Sequence, residues 1–311
     1  MPGRTIEPDA RTYAAADGTD LPMWVWHAAA APKAPPTVLY LHGIQSHAGW
    51  YEASSRHLAE RGIAVVQVER RGSGRDTAHP RGHVDAAATW LEDVALAALA
   101  ARAETGTDAV HLLGVSWGGK LALASAGHRP DLYRSLILSA PGIVPKVDIT
   151  LATKVRVGQC LMSGRTMDRF PIPLADPHLF TENPARVRYI AEDPLSLRDL
   201  TARFLRESRR LDGLAREAAR TVRLPTLLCL AEHDRIIDNE ATRRLVYAMA
   251  ARRRVRLYEG AHHTLEFEPD PTPYFDDMVA WIQEVEHEAA SVGSRRPAPF
   301  GRDPKGSASA E

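Results

Sequence analysis

"LLGVSWGGKLALA", residues 112–124, places one serine among glycines, with apolar residues on both sides. Gly114-Val115-Ser116-Trp117-Gly118 fits the pattern G-x-S-x-G. The pattern alone is weak, because two common residue types satisfy it by chance in many chains. Its surroundings give it weight. "AVHLLGV" (109–115) before it is a short apolar run of strand type, and "GGKLALASA" (118–126) after it reads as a helix. A serine at a sharp corner between strand and helix stands exposed above the sheet, set for nucleophilic attack. Side chains at 114, 118 and 119 would crowd that corner, and glycine removes them. The plainer reading is a structural turn. The strand–turn–helix context favours a nucleophile at Ser116.

The alternation continues in both directions. "TVLYLHG" (37–43), "IAVVQVE" (63–69), "SLILSAP" (135–141), "TLLCLAE" (226–232) and "VRLYEG" (255–260) are further strand candidates. Helical patterns cover 50–61, 86–104, 118–128, 239–251 and 273–290. Unbroken apolar strands of this kind are buried on both faces, and strands alternating with helices build a parallel sheet. "YAAADGTDLPMWVWHA" (13–28) adds a hairpin turning at Asp17-Gly18, followed by a Pro/Ala linker over 28–36. The expected class is α/β, a mostly parallel central sheet flanked by helices. Between Gly142 and Leu224 the alternation stops. Prolines at 171, 173, 177, 184 and 194, and helical stretches such as "LSLRDLTARFLRESRRL" (195–211), fill the gap. That is too long for a plain loop and reads as a helical cap inserted over one end of the sheet. The expected division is core over 9–142, cap over 143–222, core again over 223–290, and a disordered polar tail over 291–311.

Lys plus Arg and Asp plus Glu number 39 each, so no global field favours nucleic acid or an anionic membrane. The basic run "RRRVR" (252–256) reads as solvated surface. The N-terminus lacks an apolar signal-type core, and no run nears the roughly 20 residues that span a bilayer. The expected location is cytoplasmic. Cys160 and Cys229 form neither a disulfide framework nor a metal-ligand spacing, and Cys229 reads as a buried thiol. The expectation is no metal and no cofactor. The oligomeric state is not encoded in any pattern here.

A serine hydroxyl needs a base, and the base needs an orienting acid. In strand–helix hydrolases the acid and then the base follow the serine in chain order. "TLLCLAEHDRIIDNEATRRL" (226–245) offers Glu232, Asp234 and Asp238. Glu232 ends the strand, and Asp238 is placed to cap the next helix. Asp234, in the loop leaving the sheet, is the candidate acid. "VRLYEGAHHTLEFE" (255–268) then supplies His262 and His263, and the pattern alone does not choose between them. For the oxyanion, the expected donors are the N–H of Trp117, at a helix start, and that of Ile44, in the loop after the first central strand.

These residues resemble the α/β-hydrolase superfamily, and within it the monoacylglycerol lipase and lysophospholipase branch of serine aminopeptidase type. "LHGIQSHAGWY" (41–51) is similar to that branch's H-G-x-x-x-H-x-x-x-Y signature, through His42, Gly43, His47 and Tyr51. "GVSWGG" resembles its nucleophile elbow, with Gly114 and Gly118 beside the serine, and "AEHDRIID" its acid loop. "GAHHTLEFE" resembles G-A-x-H…E, which implies His263 as the base. The resemblance implies support of the oxyanion loop by His47, and a cap over an apolar acyl pocket in residues 176–205. Two departures stand out. "VERRGSGRD" (68–76) has Glu69 and Asp76 where the branch has Asp and Ser, in a loop expected to be structural. Trp117 occupies a position often held by Met, and a large ring there would narrow the pocket.

The implied activity is hydrolysis of lipophilic acyl esters, monoacylglycerol-like or lysophospholipid-like, through an acyl-enzyme on Ser116. C–C bond hydrolysis, thioester hydrolysis, acyl transfer, or ligand binding without turnover use the same scaffold. The run "VDITLATKVRVGQCLM" (147–162) has apolar residues at 147, 151 and 155 that either close over the pocket or touch lipid transiently.

Overall fold

The apolar runs become central strands because the sheet is covered on both faces. In the computed structural model, which describes residues 6–29 and 34–293, all residues of β3 (Thr37–Leu41), β4 (Ala64–Val68), β5 (Val110–Val115) and β9 (Thr226–Ala231) are buried. With β1 (Asp9–Ala14), β2 (Asp20–Trp26), β6 (Tyr133–Ser139) and β10 (Arg253–Tyr258) they form one sheet, ordered β1-β2-β4-β3-β5-β6-β9-β10. The hairpin β1–β2 and the β2–β4 pair are antiparallel, and every other pair is parallel. α1 (Glu52–Glu60) and α8 (Thr272–Gly293) cover one face; α2 (Ala87–Thr105), α3 (Trp117–His128) and α7 (Asn239–Ala248) cover the other.

The chain leaves β3 for β4 on one side and returns to β5 on the other. The loops after β3 and β5 therefore diverge, and a crevice opens at the carboxyl ends of these strands. Ligand sites of open α/β sheets form at this point.

Between β6 and β9 lie α4 (Leu151–Met162), β7 (Arg169–Pro171), α5 (Pro184–Glu192), β8 (Asp199–Thr201) and α6 (Ala202–Thr221). The stretch 195–211, read above as helical throughout, is divided. β8 pairs antiparallel with β7, and Thr201 then caps α6 by accepting from the N–H of Phe204 at 3.1 Å. α6 lies directly on α3, where a Cβ on Gly127 would come within 2.6 Å of Ala218 Cβ. In α4 the expected face 147/151/155 splits. Val147 precedes the helix and lines the cavity below, whereas Leu151 and Val155 are 77% and 53% exposed. Val157 and Cys160 set the inner face instead, packing with Phe170 and Ala202.

β10 is an edge strand and only half covered. The basic run 252–256, which opens this strand, is tied to α8: Arg252 and Arg254 pair with Glu284, and Arg256 with Asp277. Residues 291–293, assigned to the tail from sequence, continue α8, and the rest of that tail lies outside the described residues. Among the described residues no helix is long and apolar enough to cross a membrane.

Candidate active site

Ser116 joins β5 to α3 with φ 53° and ψ −122°, left-handed backbone that costs a side-chain-bearing residue about 1–3 kcal/mol. Main-chain bonds hold it there. Its N–H donates to Ser139 O at 2.9 Å, and its carbonyl accepts from Gly119 and Gly142 at 2.8 and 2.7 Å. The glycines are required by close approach. A Cβ on Gly114 would lie 2.4 Å from the carbonyl oxygen of Gly118, and one on Gly118 would lie 2.5 Å from the carbonyl oxygens of Leu41 and His42.

Three loops from the carboxyl ends of the sheet meet at this corner. His263 Nε2 is 2.9 Å from Ser116 Oγ, and His263 Nδ1 is 2.8 Å from Asp234 Oδ2. All three side chains are buried. An ionised carboxylate only accepts, so Nδ1 carries the proton and Nε2 is left to accept from the serine. Burial works against the charge of Asp234. His263 and the N–H groups of Ile237 and Ile236, 2.9 and 2.8 Å from Oδ1, outweigh it and hold the carboxyl below its usual range. The other candidates lie elsewhere. Asp238 caps α7 through Ala241 N–H, Glu232 is exposed and accepts from Gly260 N–H, and His262 pairs with Glu268.

The loop after β3 closes the other side. Ile44 and Trp117 line the same cavity as Ser116, with Trp117 at the first position of α3 where main-chain N–H groups point outward. Gly43 N–H is occupied by Ser46 Oγ at 2.8 Å. His42 accepts from the N–H of Arg70 through Nε2, and burial together with the Arg70 charge keeps its pKa well below the usual histidine range. His47 lies in the same loop. It caps the turn at Gly49, and its Nε2 lies 3.1 Å from Asp193 Oδ2 in the cap, a carboxylate that also accepts from Trp50 and Ser196.

Arg70 was not legible as a site residue. Its guanidinium is buried and donates to the carbonyls of Gly43 and Ile44, each at 2.9 Å, and to Ser73. It also stacks 4.6 Å from the Trp117 ring centre. It thus ties the loop carrying Ile44 to the residue after Ser116. The only sequence signal was a second arginine in "VERRGSGRD", with nothing to show which one turns inward. Beside it, Glu69 is fully buried, and burial pushes its carboxyl up to about 7. Asp76 closes its own loop on Gly72, Ala78 and His79.

Above Ser116 a cavity of about 570 Å³ runs under the cap. Val157, Leu161, Ile172, Leu174 and Leu205 give it apolar walls. The Trp117 ring does not block it, because it is buried against Trp90 and Phe204.

The sequence model of the family described as serine aminopeptidase, S33, matches residues 32–270. The chain belongs to this family. Similar curated proteins include a monoacylglycerol lipase of Mycolicibacterium smegmatis, 25% identical over 276 residues, covering 87% of this chain and 95% of its own. A monoglyceride lipase of Homo sapiens is 25% identical over 286 residues, covering 91% and 92%. Among solved structures, the monoacylglycerol lipase of Paleococcus ferrophilus superposes with a TM-score of 0.73 at 22% identity, over 86% of this chain and 100% of that one. A soluble variant of the Saccharomyces cerevisiae monoglyceride lipase gives 0.76 at 18% identity, over 91% and 97%. This S33 chain has the α/β-hydrolase fold, and its similarity runs to the monoglyceride lipase-like branch.

Proposed function

We propose that this protein is a serine hydrolase of carboxylic esters that works through an acyl-enzyme on lipophilic, monoacylglycerol-like or lysophospholipid-like substrates. The observation that carries the reading is the hydrogen-bonded chain Ser116–His263–Asp234 opening onto the apolar cavity. The similarity to monoacylglycerol lipases supports the substrate class.

His263 Nε2 takes the hydroxyl proton as Ser116 Oγ attacks the ester carbonyl. Asp234 holds the imidazole in the required tautomer and stabilises its cationic form. The N–H groups of Trp117 and Ile44 bind the oxyanion, at the positive end of α3. His263 then protonates the leaving alcohol. Water, deprotonated by the same imidazole, releases the acid. No step needs a metal or cofactor. Leu151, Val155 and Met162 are exposed on the outer side of α4 and suit transient contact with a lipid surface.

The test is turnover of p-nitrophenyl and glycerol esters of graded chain length. Ser116→Ala and His263→Ala should each lower kcat by about 10⁴–10⁶. Near wild-type activity in Ser116→Ala would end the proposal.

A further inference from the structure

Trp117 and Lys120 sit about one turn apart on α3 and reach the same hydroxyl on α6. Trp117 Nε1 donates to Ser208 Oγ at 2.9 Å, and Lys120 Nζ donates to it at 3.0 Å. Lys120 also donates to Asp212 Oδ1 at 2.6 Å, while Asp212 Oδ2 faces Arg209 at 3.6 Å. All of these residues border the cavity that holds Ser116.

A hydroxyl has two lone pairs and one proton. Both lone pairs of Ser208 are engaged by donors, so its proton is left over, and no acceptor for it lies among the described residues. An ammonium has three protons, and Lys120 uses two. Beside the Asp212 carboxylate, the cluster therefore offers the cavity two unused donor protons, one on Ser208 and one on Lys120. Its geometry is fixed. The Trp117 ring is wedged between the Arg70 guanidinium, Trp90 and Phe204, so its N–H can point only one way, and Lys120 is buried along its stem. The electrostatics agree in sign: five cationic side chains border the cavity against Asp148 and Asp212, and with Glu207, which pairs with Arg206 and Arg210, the balance is five cations to three carboxylates. A pocket for plain alkyl chains needs none of this. Left empty of an acceptor, these polar groups disfavour an alkyl chain lying against them.

We propose that Ser208 and Lys120 form a specificity subsite for an oxygen acceptor, and that the preferred substrates are esters whose acyl chain carries a keto or carboxylate oxygen. This rests on the ester-hydrolase reading for the chemistry. The subsite itself rests only on the geometry of α3 and α6. The acyl chain lies along the apolar walls and ends on the donors.

The experiment compares kcat/KM for the p-nitrophenyl esters of hexanoate, 5-oxohexanoate and adipate (as the half-ester). The wild-type protein should prefer at least one oxygen-bearing ester over hexanoate by about tenfold, the gain expected from one charge-assisted hydrogen bond. The keto and carboxylate arms tell which oxygen the subsite takes. Ser208→Ala and Lys120→Met should bring the ratio close to one, and Ser208→Thr, which keeps the hydroxyl, should retain it. Reading a ratio removes any general loss of activity or folding from the result. A wild-type ratio near one, or a ratio that survives both Ser208→Ala and Lys120→Met, overturns the subsite. Calorimetric binding of methyl hexanoate, methyl 5-oxohexanoate and monomethyl adipate to the full-length Ser116→Ala protein asks the same question without turnover. Tighter binding of an oxygen-bearing ester than of methyl hexanoate, with no ester cleaved by the wild-type protein, keeps the subsite and loses the proposed reaction.

Discussion

Replacing Arg70 by methionine tests how the loop carrying Ile44, the proposed oxyanion loop, is held. The change keeps most of the buried stem and removes three hydrogen bonds, two to the main-chain carbonyls of Gly43 and Ile44, each 2.9 Å long, and one to Ser73 Oγ at 2.6 Å. Hydrogen bonds to a charged group contribute about 1.5–3 kcal/mol each, and the stacking on Trp117 adds about 1 kcal/mol. The loss of stability should therefore be about 3–5 kcal/mol after relaxation, seen as a fall in Tm of roughly 10 °C. The effect on rate has a separate ceiling. One misplaced oxyanion donor costs about 10²–10³ in kcat, and a loosened loop retains part of the interaction. The expected fall in kcat is about 10–100-fold, with KM changing by about threefold or less. Arg70→Lys retains a charge but not the two-pronged reach, and should fall between methionine and wild type. Steady-state kinetics on a short-chain p-nitrophenyl ester, beside thermal melts of the same samples, reads both numbers. A methionine variant that melts early yet turns over at the wild-type kcat would refute the argument. Arg70 would then be a core residue that happens to lie near the loop.

Glu69 and Glu266 are buried, and burial pushes both carboxyls up to about 7. Their folded pKa values exceed the unfolded ones. The stability they confer is thus complete below about pH 4.5 and is lost as pH rises through 7. Glu69→Gln should flatten that decline and gain up to about 3 kcal/mol at pH 8 over wild type, measured by urea unfolding at pH 5 and pH 8. Equal stabilities at pH 8 would contradict it. Gly118→Ala puts a methyl 2.5 Å from two main-chain oxygens, so the elbow must shift. We expect a loss of about 1–3 kcal/mol and at least a tenfold fall in kcat, and an unchanged kcat would show that the corner has slack. Asp193→Ala leaves His47 and Trp50 without their shared carboxylate. It should destabilise the protein by about 2–4 kcal/mol and speed proteolysis within the cap ahead of the core, and uniform proteolysis would argue against a cap anchored at this point.

Local rules reach far in this chain. Strand runs and the strand-to-helix corner at Ser116 depend on near neighbours and on steric limits of the backbone, so they can be read without coordinates; the choice of Asp234 and His263 draws on chain order and on the family resemblance. The same rules fail where a contact spans many residues. Two histidines in one loop are equivalent to local rules; the family resemblance points to His263, and the turn after β10 brings His263 to Ser116 and His262 to Glu268. Two adjacent arginines are equivalent until one of them, Arg70, is folded under residues 43 and 44 while Arg71 pairs with Asp93. The split of 195–211 into strand and helix depends on β7, more than 25 residues earlier, which offers Asp199–Thr201 a partner.

By itself the sequence determined the mostly parallel α/β sheet and the strand-to-helix corner that bears Ser116, because each follows from periodicity or from sterics within a few residues. The tertiary structure alone decided which arginine grips the loop at Gly43 and Ile44, how Asp193 joins His47 and Trp50, and that Lys120 and Ser208 border the cavity. Those pairings join side chains far apart in the chain, and a buried polar group takes whichever partner the packing brings within about 3 Å.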